Sequence, residues 1–83
     1  MAGSAGISRT EQTADKLISM IMIEHLFAPG EKLPNEEALS KELGVSRVTL
    51  REAIRVLGAQ GLVETKRGIG TFVTTNEKVF GSS

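Results

Sequence analysis

Arg47, Arg51 and Arg55 recur every four residues in the second half of the sequence, with Thr49 between the first two and Ser46 directly before them. A guanidinium is a rigid fork of donors that pairs with guanine O6 and N7 or with a phosphate. Thr49 adds a hydroxyl and a methyl for a base edge or a phosphate. Ser46 is the kind of residue that caps a helix, and a capped N-terminus still turns its positive dipole end toward an anion. Further on, Lys66 and Arg67 stand directly before Gly68-Ile69-Gly70, two cations beside residues that allow tight turning and close backbone approach. These residue types serve recognition of phosphate and base edges. Taken singly they are weak signals, because an arginine stripe is most often a solvated face and a Gly-Ile-Gly triplet is no phosphate loop.

Other chemistries lack their residues. The 83 residues hold no cysteine and one histidine, His25, so disulfides, cysteine-ligated zinc, thiol catalysis and a histidine metal site are all excluded. Glu36 and Glu37 are adjacent, and on a helix adjacent side chains point about 100° apart, away from a shared substrate. The reading is therefore not an enzyme, with no cofactor. Phe27, Phe72 and Phe80 are the only aromatics, too few for binding single strands by base stacking. No apolar run reaches about 18 residues, which argues against a membrane span, and Met1–Ser8 lacks the basic-then-apolar pattern of a secretion signal. A reducing cytoplasmic setting is expected.

The elements that must position the cations follow from periodicity and punctuation. Residues 1–9 read as a flexible lead. Leu17, Ile18, Ile21, Met22 and Leu26 recur at helical spacing and predict a first helix over Gln12–Leu26, capped by Thr10 or Thr13 and stopped by Ala28-Pro29-Gly30. His25 reads as a helix-end or packing residue. Met20 and Met22 read as packing residues or flexible apolar surface. Lys32-Leu33-Pro34 is an extended piece, because the residue before a proline is pushed from helical angles. Asn35 then caps a short second helix with Glu36 and Glu37 in its first turn, Leu39 and Leu43 on one face, and Gly44 in the left-handed position after its end. Ser46 caps a third helix to about Gln60, ended by Gly61, with Leu50, Ala53, Ile54 and Leu57 on its apolar side. Arg47, Arg51 and Arg55 flank that side. Leu62–Lys66 and Thr71–Val73 read as two strands of a hairpin tipped by residues 67–70. The expected fold is mainly α with a small β-hairpin: a winged helix-turn-helix of three helices plus a wing over residues 10–75, with a flexible tail at 76–83.

The formal net charge is zero, yet the charges are segregated. Arg9–Leu43 carries four basic and seven acidic residues, a net −3, and Gly44–Val73 carries five basic and two acidic, a net +3. In a helix-turn-helix the second helix offers its N-terminal side chains to base edges in the major groove while the first braces it across the backbone. Arg47, Arg51 and Thr49 occupy that N-terminal region, and Lys66 and Arg67 suit phosphate or the adjacent minor groove.

Several motifs in this order resemble the GntR-type bacterial transcription regulators: Leu33-Pro34-Asn35-Glu36-Glu37-Ala38-Leu39, Leu43-Gly44-Val45-Ser46-Arg47-Val48-Thr49-Leu50-Arg51-Glu52-Ala53, Gly61-Leu62-Val63-Glu64, and Gly68-Ile69-Gly70-Thr71-Phe72-Val73. The resemblance runs from about Thr13 to Val73. It implies a winged-helix domain that binds a pseudo-palindromic operator in double-stranded DNA as a homodimer. It also implies that a small-molecule effector binds in a larger C-terminal domain, and that the protein works in the bacterial cytoplasm at the nucleoid. By position, Arg47 and Arg51 match the recognition-helix arginines, Thr49 a hydroxyl contact, Ser46 the opening of that helix, Arg67 the wing residue before the tip and Gly68 the tip glycine of the minor groove. The family usually has an arginine where this chain has Glu37, so that contact does not carry over: the docking is shifted, or the carboxylate accepts from a cytosine amine, or the domain binds weakly alone. The sequence stops ten residues past the wing, and a fragment of a longer regulator is the leading expectation, ahead of a naturally short one. The alternative function, from another class, is a winged-helix module docking proteins, which the zero net charge and Glu37 favour.

Overall fold

A capping box starts the first helix. Ser8 Oγ accepts the N–H of Glu11 and Glu11 Oε1 accepts the N–H of Ser8, each at 3.1 Å, satisfying two donors that a helix start leaves open. The first helix, α1 (Arg9–Ile18), therefore begins earlier than the expected Gln12. Neither threonine caps it. Thr13 is buried and donates its hydroxyl to the Arg9 carbonyl at 2.8 Å, while Thr10 donates to Glu52 of the third helix at 2.9 Å. The computed structural model describes residues 8–75; the rest of the expected lead and the expected tail, with Val79 and Phe80, lie outside the described residues.

Past Ile18 the helix widens into a π turn, Ser19–Ile23, closed by the Glu24 N–H on the Ser19 carbonyl at 2.8 Å. The wider turn shifts the apolar stripe. Met20 and Ile21, neighbours in sequence, are both buried, and Leu26, placed on the stripe by α-helical counting, is exposed. His25 ends this segment with a left-handed φ of 54°, a helix-end residue.

Two helices of the motif end identically. In α2 (Glu36–Leu43), capped by Asn35 Oδ1 on the Ala38 N–H at 2.8 Å, Gly44 turns left-handed, its N–H reaches the Lys41 carbonyl and that of Val45 reaches Ser40. In α3 (Arg47–Ala59), Gly61 has φ 80°, its N–H reaches Gly58 and that of Leu62 reaches Leu57. Both are Schellman closures, in which glycine accepts left-handed angles that cost other residues about 1–2 kcal/mol. Ser46 caps α3 as expected.

Strands β1 (Val63–Lys66) and β2 (Gly70–Val73) pair antiparallel, with Val63 opposite Val73 and Lys66 opposite Gly70. The segment before α2 lies along the outer edge of β2: Leu33 N–H reaches the Thr71 carbonyl and Val73 N–H reaches Glu31, both at 2.8 Å. That pairing ties the start of α2 to the wing. The core beneath is one cluster, with Leu17, Ile21, Leu39, Leu50, Leu57 and Val73 fully buried. α1 supplies one wall, α3 crosses it, and the base of the wing closes the end. The described residues fold as a winged helix-turn-helix, three helices and a two-stranded wing.

Gly70 is where the wing meets that outer strand. Its φ is 147°, and a Cβ there would lie 2.5 Å from Lys32 Cε. The lysine end can swing aside, but the backbone angle is one only glycine holds easily. Gly70→Ala is expected to lower stability by about 1–3 kcal/mol, read by urea unfolding. An unchanged midpoint would show that the wing relaxes at no cost.

Candidate nucleic-acid interface

The first turn of α3 is set by its cap. Ser46 Oγ accepts the Thr49 N–H at 3.1 Å and donates to Thr49 Oγ1 at 3.0 Å. Thr49 Oγ1, already accepting, keeps its own proton free to donate outward. One residue earlier Val48 is exposed, an apolar contact beside Arg47.

Arg47 and Arg51 are held by Glu37 and Glu36, the two acids in the first turn of α2. Glu36 Oε2 accepts from Arg51 Nε at 2.9 Å. Glu37 Oε1 lies 3.4 Å from Arg47 Nη2, and its Oε2 lies 3.5 Å from Lys41 Nζ. The hydrogen bond from Arg51 keeps the Glu36 carboxyl below the ordinary carboxylate range, and the same bond raises the Arg51 guanidinium. Because Glu36 is bound through Nε, both terminal nitrogens of Arg51 are left for another partner. All four side chains are substantially solvent-exposed, so these pairs orient more than they stabilise.

Between the start of α2, Arg47 and the wing runs a cleft of about 500 Å³. It brings Arg47 together with Lys66, Arg67 and Gly68 of the wing, about twenty residues further along the sequence, and adds Lys32. Gly68 turns the wing tip with φ 77°, and the Ile69 N–H closes that turn on the Lys66 carbonyl at 2.9 Å. Lys66 Nζ lies 5.1 Å from the Phe72 ring centre, a cation–π contact that draws the ammonium back along the wing. Arg51 borders an adjoining hollow with Glu36 and Arg55. Ser46 and Thr49 stand at the start of α3, next to Arg47. Sequence reasoning missed Lys32, whose alkyl stem crosses Gly70. A lysine before Leu-Pro gives no local sign that its strand will pair with the wing. Glu36 and Glu37, favoured in the first turn of α2 by the helix dipole, both also reach across to α3.

With this geometry in hand, the known proteins decide the family. The profile of the bacterial regulatory proteins, gntR family, matches residues 9–73. The chain belongs to the gntR family. Among its relatives, the Uxu operon transcriptional regulator of Escherichia coli (strain K12) is 36% identical over 76 residues, 92% of this chain and 30% of the relative. The mannosyl-D-glycerate transport/metabolism system repressor MngR of the same strain is 47% identical over 62 residues, 75% of this chain and 25% of that protein. This gntR-family chain thus spans about a quarter to a third of the length of the curated relatives it matches. Among solved structures, the DNA-binding domain of AraR in complex with operator ORE1 is similar with a TM-score of 0.75 at 37% identity, covering 82% of each chain. A GntR family transcriptional regulator from Listeria monocytogenes shares the fold, with a TM-score of 0.80 at 22% identity over 88% of this chain and 63% of that one.

Proposed function

We propose that this chain is the operator-reading domain of a bacterial transcription regulator, a binding module and not an enzyme. α3 enters the major groove N-terminus first. Arg47 and Arg51 donate to guanine edges or adjacent phosphates, Thr49 donates its free hydroxyl proton, and Ser46 leaves the positive end of α3 facing the backbone. The wing lies against the minor groove, where Gly68 lets the chain come close and Lys66 and Arg67 take phosphates. The observation that carries this reading is Arg51: Glu36 holds it by Nε at 2.9 Å on an exposed helix face, with its terminal fork unoccupied among the described residues. AraR, similar in fold and sequence, has been solved on operators. In the whole protein a homodimer would place one domain on each half-site, adding avidity to a modest single-domain affinity. A small-molecule effector would bind in a further domain, and the protein would work at the nucleoid in the cytoplasm.

The test is fluorescence anisotropy of a labelled duplex across a salt series. Affinity is expected to fall linearly in log–log form, and Lys66→Ala is expected to flatten the slope by about 0.9, the loss of one phosphate contact. Binding indifferent to salt, or absent at low salt, would overturn the proposal.

A further inference from the structure

Glu36 and Glu37, the acids in the first turn of α2, hold their arginines differently. Glu36 takes Arg51 through Nε and leaves the terminal fork whole. Glu37 takes Arg47 through a terminal nitrogen, Nη2, and shares its other oxygen with Lys41. A guanidinium has five N–H donors, so Arg47 keeps donors for a partner while the pair stays closed, but one of its reading nitrogens is engaged. The pair sits at the mouth of the cleft, more than half exposed, where Coulomb attraction is weak and exchange of partners is easy.

From this asymmetry we infer that Glu37 is a specificity-determining residue that acts through Arg47, a positioning role resting on the DNA-reading function proposed above. A guanine edge on the groove floor takes two donors from Arg47 with the Glu37 pair intact. A phosphate on the groove wall competes with Glu37 for the terminal nitrogens of Arg47, and where it wins, the carboxylate stands uncompensated beside the DNA backbone. Sequence-blind docking therefore pays for opening the pair, and docking on the right site does not. Glu36 carries no such penalty, because Arg51 can reach outward without leaving it.

The experiment compares Glu37→Gln, Arg47→Ala and the double variant with the unaltered chain. Each is measured by anisotropy on a duplex selected by the unaltered chain and on a scrambled duplex of the same length, with thermal unfolding alongside to confirm the fold. Glu37→Gln is expected to raise affinity for the scrambled duplex about fivefold and to steepen its salt slope by up to about 0.9. Affinity for the selected duplex should change much less, so the ratio between the two falls. In the Arg47→Ala background the same change is expected to leave the ratio unaltered, the signature of action through Arg47. A ratio that Glu37→Gln leaves intact while Arg47→Ala lowers it would overturn the role of Glu37 and leave the DNA-reading function standing. An equal fall in both backgrounds would also overturn it, since Glu37 would then act on the base directly. No preference of the unaltered chain for any duplex would overturn both.

Discussion

Leu50→Ala is expected to lower the unfolding free energy by about 2–5 kcal/mol, the range for emptying a leucine-sized space in a packed core. Leu50 is fully buried and lies between Thr49 and Arg51, so it fastens the reading turn of α3 onto α1 and α2. In a domain this small each kcal/mol shifts the melting midpoint by about 4–8 °C, so the loss should exceed about 8 °C. DNA binding should fall with it at physiological temperature and return on cooling, since the arginines are untouched. A midpoint within about 2 °C of the unaltered chain would mean that α3 is not anchored through this side chain.

The second large effect falls on recognition alone. Arg51→Ala is expected to cost about 1–3 kcal/mol of discrimination at one base pair, about fivefold to 150-fold, with little change in stability because its pair with Glu36 is exposed. Arg51→Lys sharpens the test. Lysine keeps the positive charge but has no planar fork, so affinity for unselected duplex should survive while discrimination stays low. Discrimination surviving Arg51→Ala would remove Arg51 from the reading surface.

What the sequence made legible divides along a physical line. Asn35, Gly44, Ser46 and Gly61 all terminate helices where local chemistry places them, because caps and left-handed glycines answer to their own neighbours. The hairpin and the order of elements were equally readable, and with them the winged fold. The Ser8–Glu11 capping box was also local, a Ser-x-x-Glu pattern, but it lies ahead of the first apolar position and periodicity started the helix too late. The π turn was hidden for another reason. Met20-Ile21-Met22-Ile23 is apolar throughout, so it fits α-helical and wider spacing alike, and packing made the choice. The site was half visible. Residue types pointed to Arg47, Arg51, Lys66 and Arg67 as candidates, while the packing of α2 on α3, which sets Glu37 against Arg47, is long-range and leaves no mark in either helix. Lys32 joins the cleft through strand pairing for the same reason.

The most direct measurement is selection of duplex DNA from a random pool by this chain, repeated with Arg51→Ala. The unaltered chain is expected to enrich a short guanine-containing half-site, and the variant to lose the guanine preference at one position. A pool that stays random through successive rounds, or a motif that Arg51→Ala enriches unchanged, would contradict base reading by Arg51.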